Sequence, residues 1–207
     1  MSIRSKRDLE VELSKLQGFV SPRVELEQYA LTSSIAADWI WQMALRGEIA
    51  GKVILDAGCG PGILGLGVLL MGAKRVFFVD KDEEAIKICR ENYKVLHAEY
   101  EIGEGEFMVH DIRLFDAEVD VVIENPPFGT KVEHADKIFL EKAFASARVV
   151  YSMHKKSTMK FVEAITRDFG FVITHTYQYE FPIKAQFVFH EKRVEHVEVM
   201  VFRMERG

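Results

Sequence analysis

The sequence predicts an α/β fold with a mostly parallel sheet of seven strands, the last of them antiparallel. Short apolar strand segments alternate with helical segments along the chain, and the last two strands follow each other directly. This alternation is typical of a parallel sheet with helices on both faces. Polar residues follow four of the strands, and ligands of such sheets bind beyond those carboxyl ends. The sequence therefore predicts a binding site at one edge of the sheet.

The strands are predicted from short apolar runs that end at turn-forming or polar residues. A loop of residues 181–193 joins the last two. The predicted strands are 52–56, 75–79, 106–109, 121–123, 149–153, 171–179 and 194–204.

The helices are predicted from apolar residues three and four positions apart and from capping residues at their ends. No internal repeat or long linker interrupts them. They are a helix over 5–17 before Gly18, one capped by Thr32 or Ser33 that ends at Gly47, one over 63–71 before Gly72, one from Asp82, one with Ile138 and Ala147, and one capped by Ser157 or Thr158 that ends at Gly170.

Length and composition favour a single domain in a reducing compartment. A chain of 207 residues with 48% hydrophobic content can bury a core. Its two cysteines, Cys59 and Cys89, are too few for a disulfide framework or a zinc cluster, so we predict no metal site. No apolar run approaches the roughly 20 residues that span a bilayer, and the charged N-terminus differs from a signal peptide. We expect a cytoplasmic protein that does not bind membranes.

Charge is unevenly distributed along the chain. The net charge is −5, and residues 80–120 hold 13 acidic against 5 basic side chains. Residues 131–160 hold 7 basic against 3 acidic side chains. This local excess permits a phosphate-facing surface without an overall basic protein. Solvated helix faces account for it equally well.

A glycine-rich segment, Asp56-Ala-Gly-Cys-Gly-Pro-Gly62, follows a strand and opens a helix. Its glycines allow close backbone approach to a ligand, and helix N–H groups face the same space. The spacing differs from the dinucleotide pattern G-x-G-x-x-G, and the absence of a following Lys-Ser/Thr excludes a P-loop. We interpret Cys59 as a packing residue and not as a nucleophile.

Two carboxylates end the next strands. Asp80 is placed to accept hydrogen bonds from a ribose diol, and Asp111 from an adenine amino group, with Ile112 against the base. Helix capping is the alternative for either residue alone. The ordered set of glycine loop, Asp80 and Asp111 at successive strand ends is more specific than any one member.

Residues 125–128, Asn-Pro-Pro-Phe, end the strand over 121–123. Two prolines cannot continue a sheet ladder, and they hold the preceding residues extended. The Asn125 amide beside an aromatic ring suits a planar ligand that carries an amino group. A strand-ending turn that only happens to be rich in proline is the alternative.

These motifs resemble those of class I S-adenosylmethionine-dependent methyltransferases, which have a Rossmann-like fold, and the Asn-Pro-Pro-aromatic form marks the branch that methylates planar amino nitrogens. Glu27-Gln-Tyr, Glu124-Asn-Pro-Pro-Phe-Gly-Thr-Lys and Val150-Tyr-Ser-Met-His-Lys are similar to the methyltransferase-like-5 family over nearly the whole chain. That family installs N6-methyladenosine in small-subunit ribosomal RNA. The resemblance implies one methyltransferase domain over 1–207, with N-terminal helices and a cofactor-covering linker over 1–47 and a catalytic core over 48–207.

The resemblance also implies a set of cofactor and substrate residues. The family has Pro-Thr directly after Gln-Tyr, whereas this chain has Ala30-Leu31 and a threonine one place later, so we expect only the backbone of Leu31 to replace that contact. For the base, Asn125, Pro126, Pro127 and Phe128 are implied. For S-adenosyl-L-methionine, the candidates are Gln28, Tyr29, Leu31, Thr32, Asp56, Gly58, Cys59, Gly60, Pro61, Gly62, Ile63, Asp80, Lys81, Asp111, Ile112 and Asn125.

Basic and aromatic residues near the same edge are candidates for RNA contacts, with core packing and solvation as the alternatives. The resemblance implies a further partner, the small zinc-binding activator of several RNA and release-factor methyltransferases. Guanine-N2 methylation of RNA, glutamine-amide methylation of protein and a cofactor-binding RNA scaffold remain alternative functions. The RNA candidates are Lys131, His154, Lys155, Lys156, Phe187, Lys192 and Arg193.

Overall fold

The computed structural model describes residues 3–20, 22–23, 28, 31–127, 135–184 and 194–207, which form seven strands and six α-helices. The strands are β1 (Val53–Ala57), β2 (Arg75–Asp80), β3 (Glu104–Val109), β4 (Val121–Glu124), β5 (Val149–Lys155), β6 (Phe171–Lys184) and β7 (Val194–Arg206). The helices are α1 (Lys6–Ser14), α2 (Ser33–Leu45), α3 (Ile63–Leu70), α4 (Glu83–Glu99), α5 (Ala135–Ser146) and α6 (Met159–Asp168).

The strands form one sheet in the order β3-β2-β1-β4-β5-β7-β6. Strand β7 is antiparallel to both β5 and β6, whereas the pairs among β1 to β5 are parallel. The predicted sheet is therefore confirmed. The chain builds outward from β1 to β3 and then crosses to β4 on the other side of β1. In sheets of this kind, ligands bind where the strand order reverses.

Alternate residues of each strand face opposite layers of helices. In β1, Ile54 belongs to the core formed with α1 to α4, whereas Leu55 belongs to the core formed with α5 and α6. In β2, Phe78 belongs to the core formed with α1 to α4, and Phe77 belongs to the core formed with α5 and α6. Successive strand side chains point to opposite faces, so these apolar runs require helices on both. Burying each large apolar side chain is worth about 1.5–3 kcal/mol.

Helix α1 ends at Ser14, three residues earlier than predicted, and Lys15 caps it. The backbone of Gln17 is held by Asn92 of α4, whose side-chain oxygen accepts from the Gln17 N–H and whose amide donates to the Gln17 carbonyl, each at 2.9 Å. These bonds replace the helical ones. The end of α1 is therefore set by a residue 75 positions away, which local sequence does not disclose.

The boundaries that differ from the predictions also include those of β6 and α6. Strand β6 continues to Lys184, into the predicted loop, and its Pro182 lies opposite His196 of β7. Because β6 is an edge strand, a residue without an N–H fits there. A 3-10 turn over Lys156–Thr158 precedes α6, and the Thr158 hydroxyl donates to the Lys155 carbonyl instead of capping the helix.

Candidate functional site

A cavity of about 680 Å³ opens at the carboxyl edge of the sheet, within the roughly 300–1,000 Å³ typical of ligand pockets. The strand-end residues Asp56, Asp80 and Asn125, together with Asp111 just beyond β3, line it as predicted from their positions. The described members of the predicted cofactor set that line it are Gln28, Leu31, Asp56, Gly58, Cys59, Gly60, Pro61, Ile63, Asp80, Lys81, Asp111, Ile112 and Asn125.

The glycine loop between β1 and α3 passes very close to its neighbours. Gly60 and Gly62 have φ angles of +53° and +90°, in the left-handed region that favours glycine. A Cβ atom at Gly60 would lie 2.8 Å from the ring of Phe19, and one at Gly62 would lie 2.3 Å from Sγ of Cys89. The loop leads directly into α3 at Ile63, which lines the cavity. The N-terminus of α3 therefore lies at the cavity and favours a negatively polarised group there.

Asp80 ties the glycine loop to the end of β2. Its Oδ2 accepts from the Gly60 N–H at 2.9 Å, and its Oδ1 accepts from the Asp82 N–H at 2.9 Å. Burial raises the pKa of Asp80, and these two backbone bonds oppose that effect. Each carboxylate oxygen has a second lone-pair site, so Asp80 can also accept from a ligand in the cavity.

Asp56 holds α3 against β1. Its Oδ2 accepts from the Gly65 N–H at 2.8 Å, and a Cβ atom at Gly65 would lie 2.8 Å from the same oxygen. The side chain is buried, which raises its pKa to about 7. Asp56 thus borders the cavity while its carboxyl group stabilises the strand-to-helix connection.

Asp111 begins the 3-10 turn Ile112–Leu114 and is paired with Arg113. The guanidinium donates to both carboxylate oxygens, at 2.9 and 2.8 Å, and the Arg113 N–H donates to Oδ1 at 3.0 Å. These bonds lower the pKa of Asp111 to about 2. Asp111 is therefore a charged acceptor at the rim, beside the buried side chain of Ile112.

The described part of the N-terminal linker contributes Gln28 and Leu31 to the cavity wall. The Gln28 side chain donates to Asp82 at 2.7 Å and accepts from the Arg23 N–H at 2.8 Å. The Thr32 side chain caps α2 by accepting from the Ile35 N–H at 3.3 Å, and Thr32 and Gly62 are not among the residues that line the cavity. Tyr29 lies outside the described residues.

Asn125, Pro126 and Pro127 form the wall beyond β4. The Asn125 side-chain oxygen is buried and has no hydrogen-bond partner among the described residues. An unsatisfied buried acceptor costs about 1–3 kcal/mol, and a donor from a bound molecule would offset that cost. Phe128 lies outside the described residues.

Aromatic and apolar residues that the sequence did not indicate complete the cavity. Phe19 comes from the segment after α1, Ile138 and Phe139 come from α5, and His110 follows β3. The ring of Phe139 lies 2.9 Å from the position of a Cβ atom at Gly58. No local motif marks these residues, because tertiary packing alone brings them to the site.

The predicted RNA-contacting residues are only partly described. Lys156 is exposed and pairs with Glu198 at 3.0 Å, and Lys155 is half-buried. His154 is 1% exposed and its ring is bonded to Ser152, so the structure does not bring it to the surface. Burial lowers its pKa to about 3, which leaves the ring uncharged at neutral pH. Lys131, Phe187, Lys192 and Arg193 lie outside the described residues.

The described residues hold no cluster of three or more side chains suited to a metal ion. None of the described helices has the length and apolar character needed to cross a membrane.

Comparison with known families assigns the chain. The family model described as "Methyltransferase small domain" matches residues 40–175, which include the glycine loop and the Asn125 segment. The chain belongs to the methyltransferase small domain family. Among its relatives, MJ0284 of Methanocaldococcus jannaschii is 36% identical over 97% of this chain and 94% of its own length. The rRNA N(6)-adenosine-methyltransferase Mettl5 of Drosophila melanogaster is 32% identical over 97% of this chain and 96% of its own length.

Solved structures agree with this assignment to the methyltransferase small domain family. PH1948 from Pyrococcus horikoshii, a proposed RNA methyltransferase, has a TM-score of 0.89 at 40% identity, covering 99% of this chain and 98% of its own. Magnesium protoporphyrin IX methyltransferase from Synechocystis PCC 6803, solved with bound SAM, has a TM-score of 0.67 at 17% identity. The match covers 100% of this chain and 99% of that protein's chain. At that identity the likeness concerns the fold. The predicted class I methyltransferase fold is confirmed.

Proposed function

We propose that this protein transfers a methyl group from S-adenosyl-L-methionine to the N6 amine of an adenosine in small-subunit ribosomal RNA. The observation that carries the proposal is the buried oxygen of Asn125, which has no partner among the described residues and lies in the same cavity as the glycine loop. Relatives named rRNA N(6)-adenosine-methyltransferase from Drosophila melanogaster and Danio rerio match over at least 95% of the chain and support the choice of acceptor.

The cavity residues suit S-adenosyl-L-methionine, whose sulfonium supplies an electrophilic methyl group when the cofactor is bound. We assign the ribose diol to Asp80, which keeps free lone-pair sites beside its backbone bonds. Asp111 and Ile112 would hold the adenine, one as acceptor and the other as an apolar surface. The glycine loop leaves room for the rest of the cofactor against the N-terminus of α3.

Asn125 and Pro126 would act on the amine of the target base. An aryl amine is a poor nucleophile because its lone pair is delocalised into the ring. If the Asn125 side-chain oxygen and the Pro126 carbonyl each accept an amino hydrogen, the lone pair localises on nitrogen. The proton can leave after attack, so the rate depends on positioning and electrostatics. Phe128 would stack on the base, worth about 1–3 kcal/mol.

The target adenosine must be unstacked to reach the cavity, because its amine is otherwise buried in pairing. We propose that backbone phosphates bind along the same edge. Lys131, Lys155, Lys156, Lys192 and Arg193 would supply the charge, and Phe187 a second stacking surface. The excess of basic side chains over residues 131–160 supports this orientation.

We further propose that the whole of 1–207 acts as one domain and that the protein is cytoplasmic. Residues 1–47 would cover the cofactor, and residues 48–207 would form the catalytic core.

The resemblance supports a small zinc-binding activator as a partner, and the exposed side chain of Val109 on edge strand β3 is a surface such a partner could cover. Co-expression that changed neither solubility nor activity would count against it. A ribosomal RNA substrate supports a cytoplasmic location.

The direct test is methylation of purified small-subunit RNA with methyl-labelled cofactor, followed by digestion to nucleosides. We expect label in N6-methyladenosine. Label confined to methylguanosine, or to protein, would overturn the proposal. Label in protein is an informative outcome, because the ribosomal protein L11 methyltransferase of Psychrobacter sp. is 41% identical to this chain over 64 residues. These residues are 31% of this chain and 20% of that protein.

A second arm separates an enzyme from a cofactor-binding scaffold. The Asn125→Ala variant should bind S-adenosyl-L-methionine but lose methyl transfer, because the amine loses an acceptor. Cofactor binding is measured by calorimetry and folding by thermal unfolding. Full cellular function from this variant would support the scaffold.

A further inference from the structure

Four buried polar side chains form a connected network behind the Asn125 segment. The Ser152 hydroxyl of β5 is hydrogen-bonded to Oε1 of Glu124, the last residue of β4, at 2.7 Å. The same hydroxyl oxygen lies 2.7 Å from Nε2 of His154, and Nδ1 of that ring lies 3.9 Å from Oδ2 of Asp136 in α5. The exposed fractions are 0% for Glu124 and Ser152, 1% for His154 and 8% for Asp136.

The network connects the two ends of the segment that we assign to the substrate. Glu124 directly precedes Asn125, and Asp136 lies in the first turn of α5, where its Oδ1 accepts from the Lys137 N–H at 3.0 Å. Both are linked to the middle of the sheet through β5. Glu124 and Asp136, which flank this segment in the sequence, are therefore held by one set of side chains.

Two proton arrangements around the Ser152 hydroxyl satisfy the distances in this network. The Ser152 hydroxyl has one hydrogen, so it either donates to Glu124 and accepts from Nε2–H of His154, or accepts from a protonated Glu124 and donates to Nε2. Oε2 of Glu124 is buried without a partner among the described residues. An unpaired oxygen of a neutral carboxyl group costs far less to bury than an unpaired carboxylate oxygen. Glu124 is therefore a neutral carboxylic acid when the network is intact.

The surroundings of Glu124 support its neutral form. Burial raises its pKa to about 8, the nearby Asp136 carboxylate raises it further, and the Ser152 bond opposes both. Among the described residues, the titratable groups that face it are His154 on β5 and Asp136 on α5. On β1, the residue opposite is Ala57, and the Asp56 side chain points to the other face, toward α3. In the described part of the chain, no cation counteracts the raised pKa of Glu124.

We propose that Glu124, Ser152 and His154 are positioning residues that hold Asn125 for methyl transfer, and that they do so only while Glu124 is neutral. The proposal rests on the proposed function, in which Asn125 contacts the amine. Ionisation of Glu124 places a buried charge near Asp136, which favours opening of the network. Asn125 then loses its fixed position, and activity falls at alkaline pH although the cofactor site is intact.

The test is the pH dependence of kcat between pH 6.5 and 9.5, measured with saturating RNA and S-adenosyl-L-methionine. In the wild type we expect kcat to fall about tenfold per pH unit above pH 8. Glu124→Gln keeps an acceptor for Ser152 but cannot ionise, so it should retain kcat at pH 7 within about threefold and lose the alkaline decline. Glu118→Gln, at an exposed position, is the matched control and should keep the wild-type profile.

A second variant tests the network without changing charge. Ser152→Ala should lower kcat about tenfold at pH 7, while the dissociation constant of S-adenosyl-L-methionine stays within about twofold. Thermal unfolding of both variants reports whether they fold. An active wild type whose alkaline decline persists in Glu124→Gln, or full kcat in a folded Ser152→Ala, would overturn this inference alone. A wild type inactive on RNA at every pH would overturn the proposed function and this inference together.

Discussion

The carboxylate of Asp80 accepts a hydrogen bond from the backbone N–H of Gly60 at 2.9 Å. The end of β2 thereby holds the glycine loop that follows β1, and the parallel pairing of these strands brings the two residues together. A residue assigned to cofactor binding therefore also shapes the loop on which the cofactor would lie.

Replacing Asp80 with asparagine is expected to weaken cofactor binding. One of its two oxygens becomes an amide nitrogen, so either Gly60 or Asp82 loses its acceptor. A hydrogen bond to a charged group is worth about 1.5–3 kcal/mol, so the dissociation constant of S-adenosyl-L-methionine should rise roughly 10- to 150-fold. Calorimetry measures the change. Asp116→Asn, at an exposed position, is the control, and equal affinity of both variants would contradict the assignment of Asp80.

The glycine loop provides a prediction on stability. Gly62→Ala would force a positive φ on a residue with a side chain and place its Cβ 2.3 Å from Sγ of Cys89. Left-handed backbone and overpacking each cost about 1–3 kcal/mol. We expect the free energy of unfolding to fall by about 2 kcal/mol or more, measured by urea denaturation. Gly18→Ala should leave it nearly unchanged, because a Cβ atom at Gly18 would have no described heavy atom within 4 Å apart from its chain neighbours. Equal stability of the two variants would refute the packing argument.

The sequence disclosed those features that depend on local chemistry. Strand ends, helix caps such as Thr32, and the glycine loop follow from short patterns, and parallel pairing then places Asp56, Asp80 and Asn125 along one edge. The pattern of apolar strands also sufficed to predict the sheet.

Features that depend on contacts between distant segments were not predictable. Asn92 of α4 fixes the chain after α1, and Phe19 and Phe139 reach the cavity through packing. His154 looked like a basic residue near the site, yet it is buried and bonded to Ser152. A pattern of residue types indicates which element a side chain belongs to, but not what lies against it.

The buried carboxyl of Asp56 predicts how stability varies with pH. Its folded pKa, raised to about 7 by burial, lies above the ordinary value of 3.8, so the folded state binds the proton more tightly. This group's contribution to stability is full below pH 4 and is lost as pH rises toward 7. The folded pKa of His154 is lowered from 6.5 to about 3. The contribution of this group to stability is therefore full above pH 6.5 and is lost as pH falls toward 3.

The difference between wild type and Asp56→Asn isolates the Asp56 contribution. The asparagine oxygen can still accept from Gly65, and the variant does not titrate. We expect its stability relative to wild type to increase between pH 4 and 7, measured by urea denaturation at several pH values. If the difference in stability between the two proteins does not vary with pH, the Asp56 carboxyl has the same pKa in the folded and unfolded states.

A buried ion pair connects the N-terminal helices to β7. Arg203 is 7% exposed, and its guanidinium pairs with Glu48, just beyond α2, and donates to Thr174 of β6 at 2.6 Å. The Tyr151 hydroxyl donates to Glu48 at 2.5 Å. Since Glu48 is itself largely buried, removing the arginine leaves a carboxylate without its main counter-charge. The hydrogen bond to Glu48 raises the pKa of Arg203, burial opposes this effect, and the hydrogen bond to Glu205 raises the pKa further.

Arg203→Met is expected to lower the free energy of unfolding by about 3–5 kcal/mol, the usual cost of an uncompensated buried charge. The double variant Glu48→Gln, Arg203→Met should recover part of this loss, because no unpaired charge remains. Urea denaturation of the two single variants and the double variant gives the coupling between the residues. Losses that simply add would mean that the pair contributes no interaction of its own, and that the arginine stabilises the sheet through its contacts with Thr174 and Glu205.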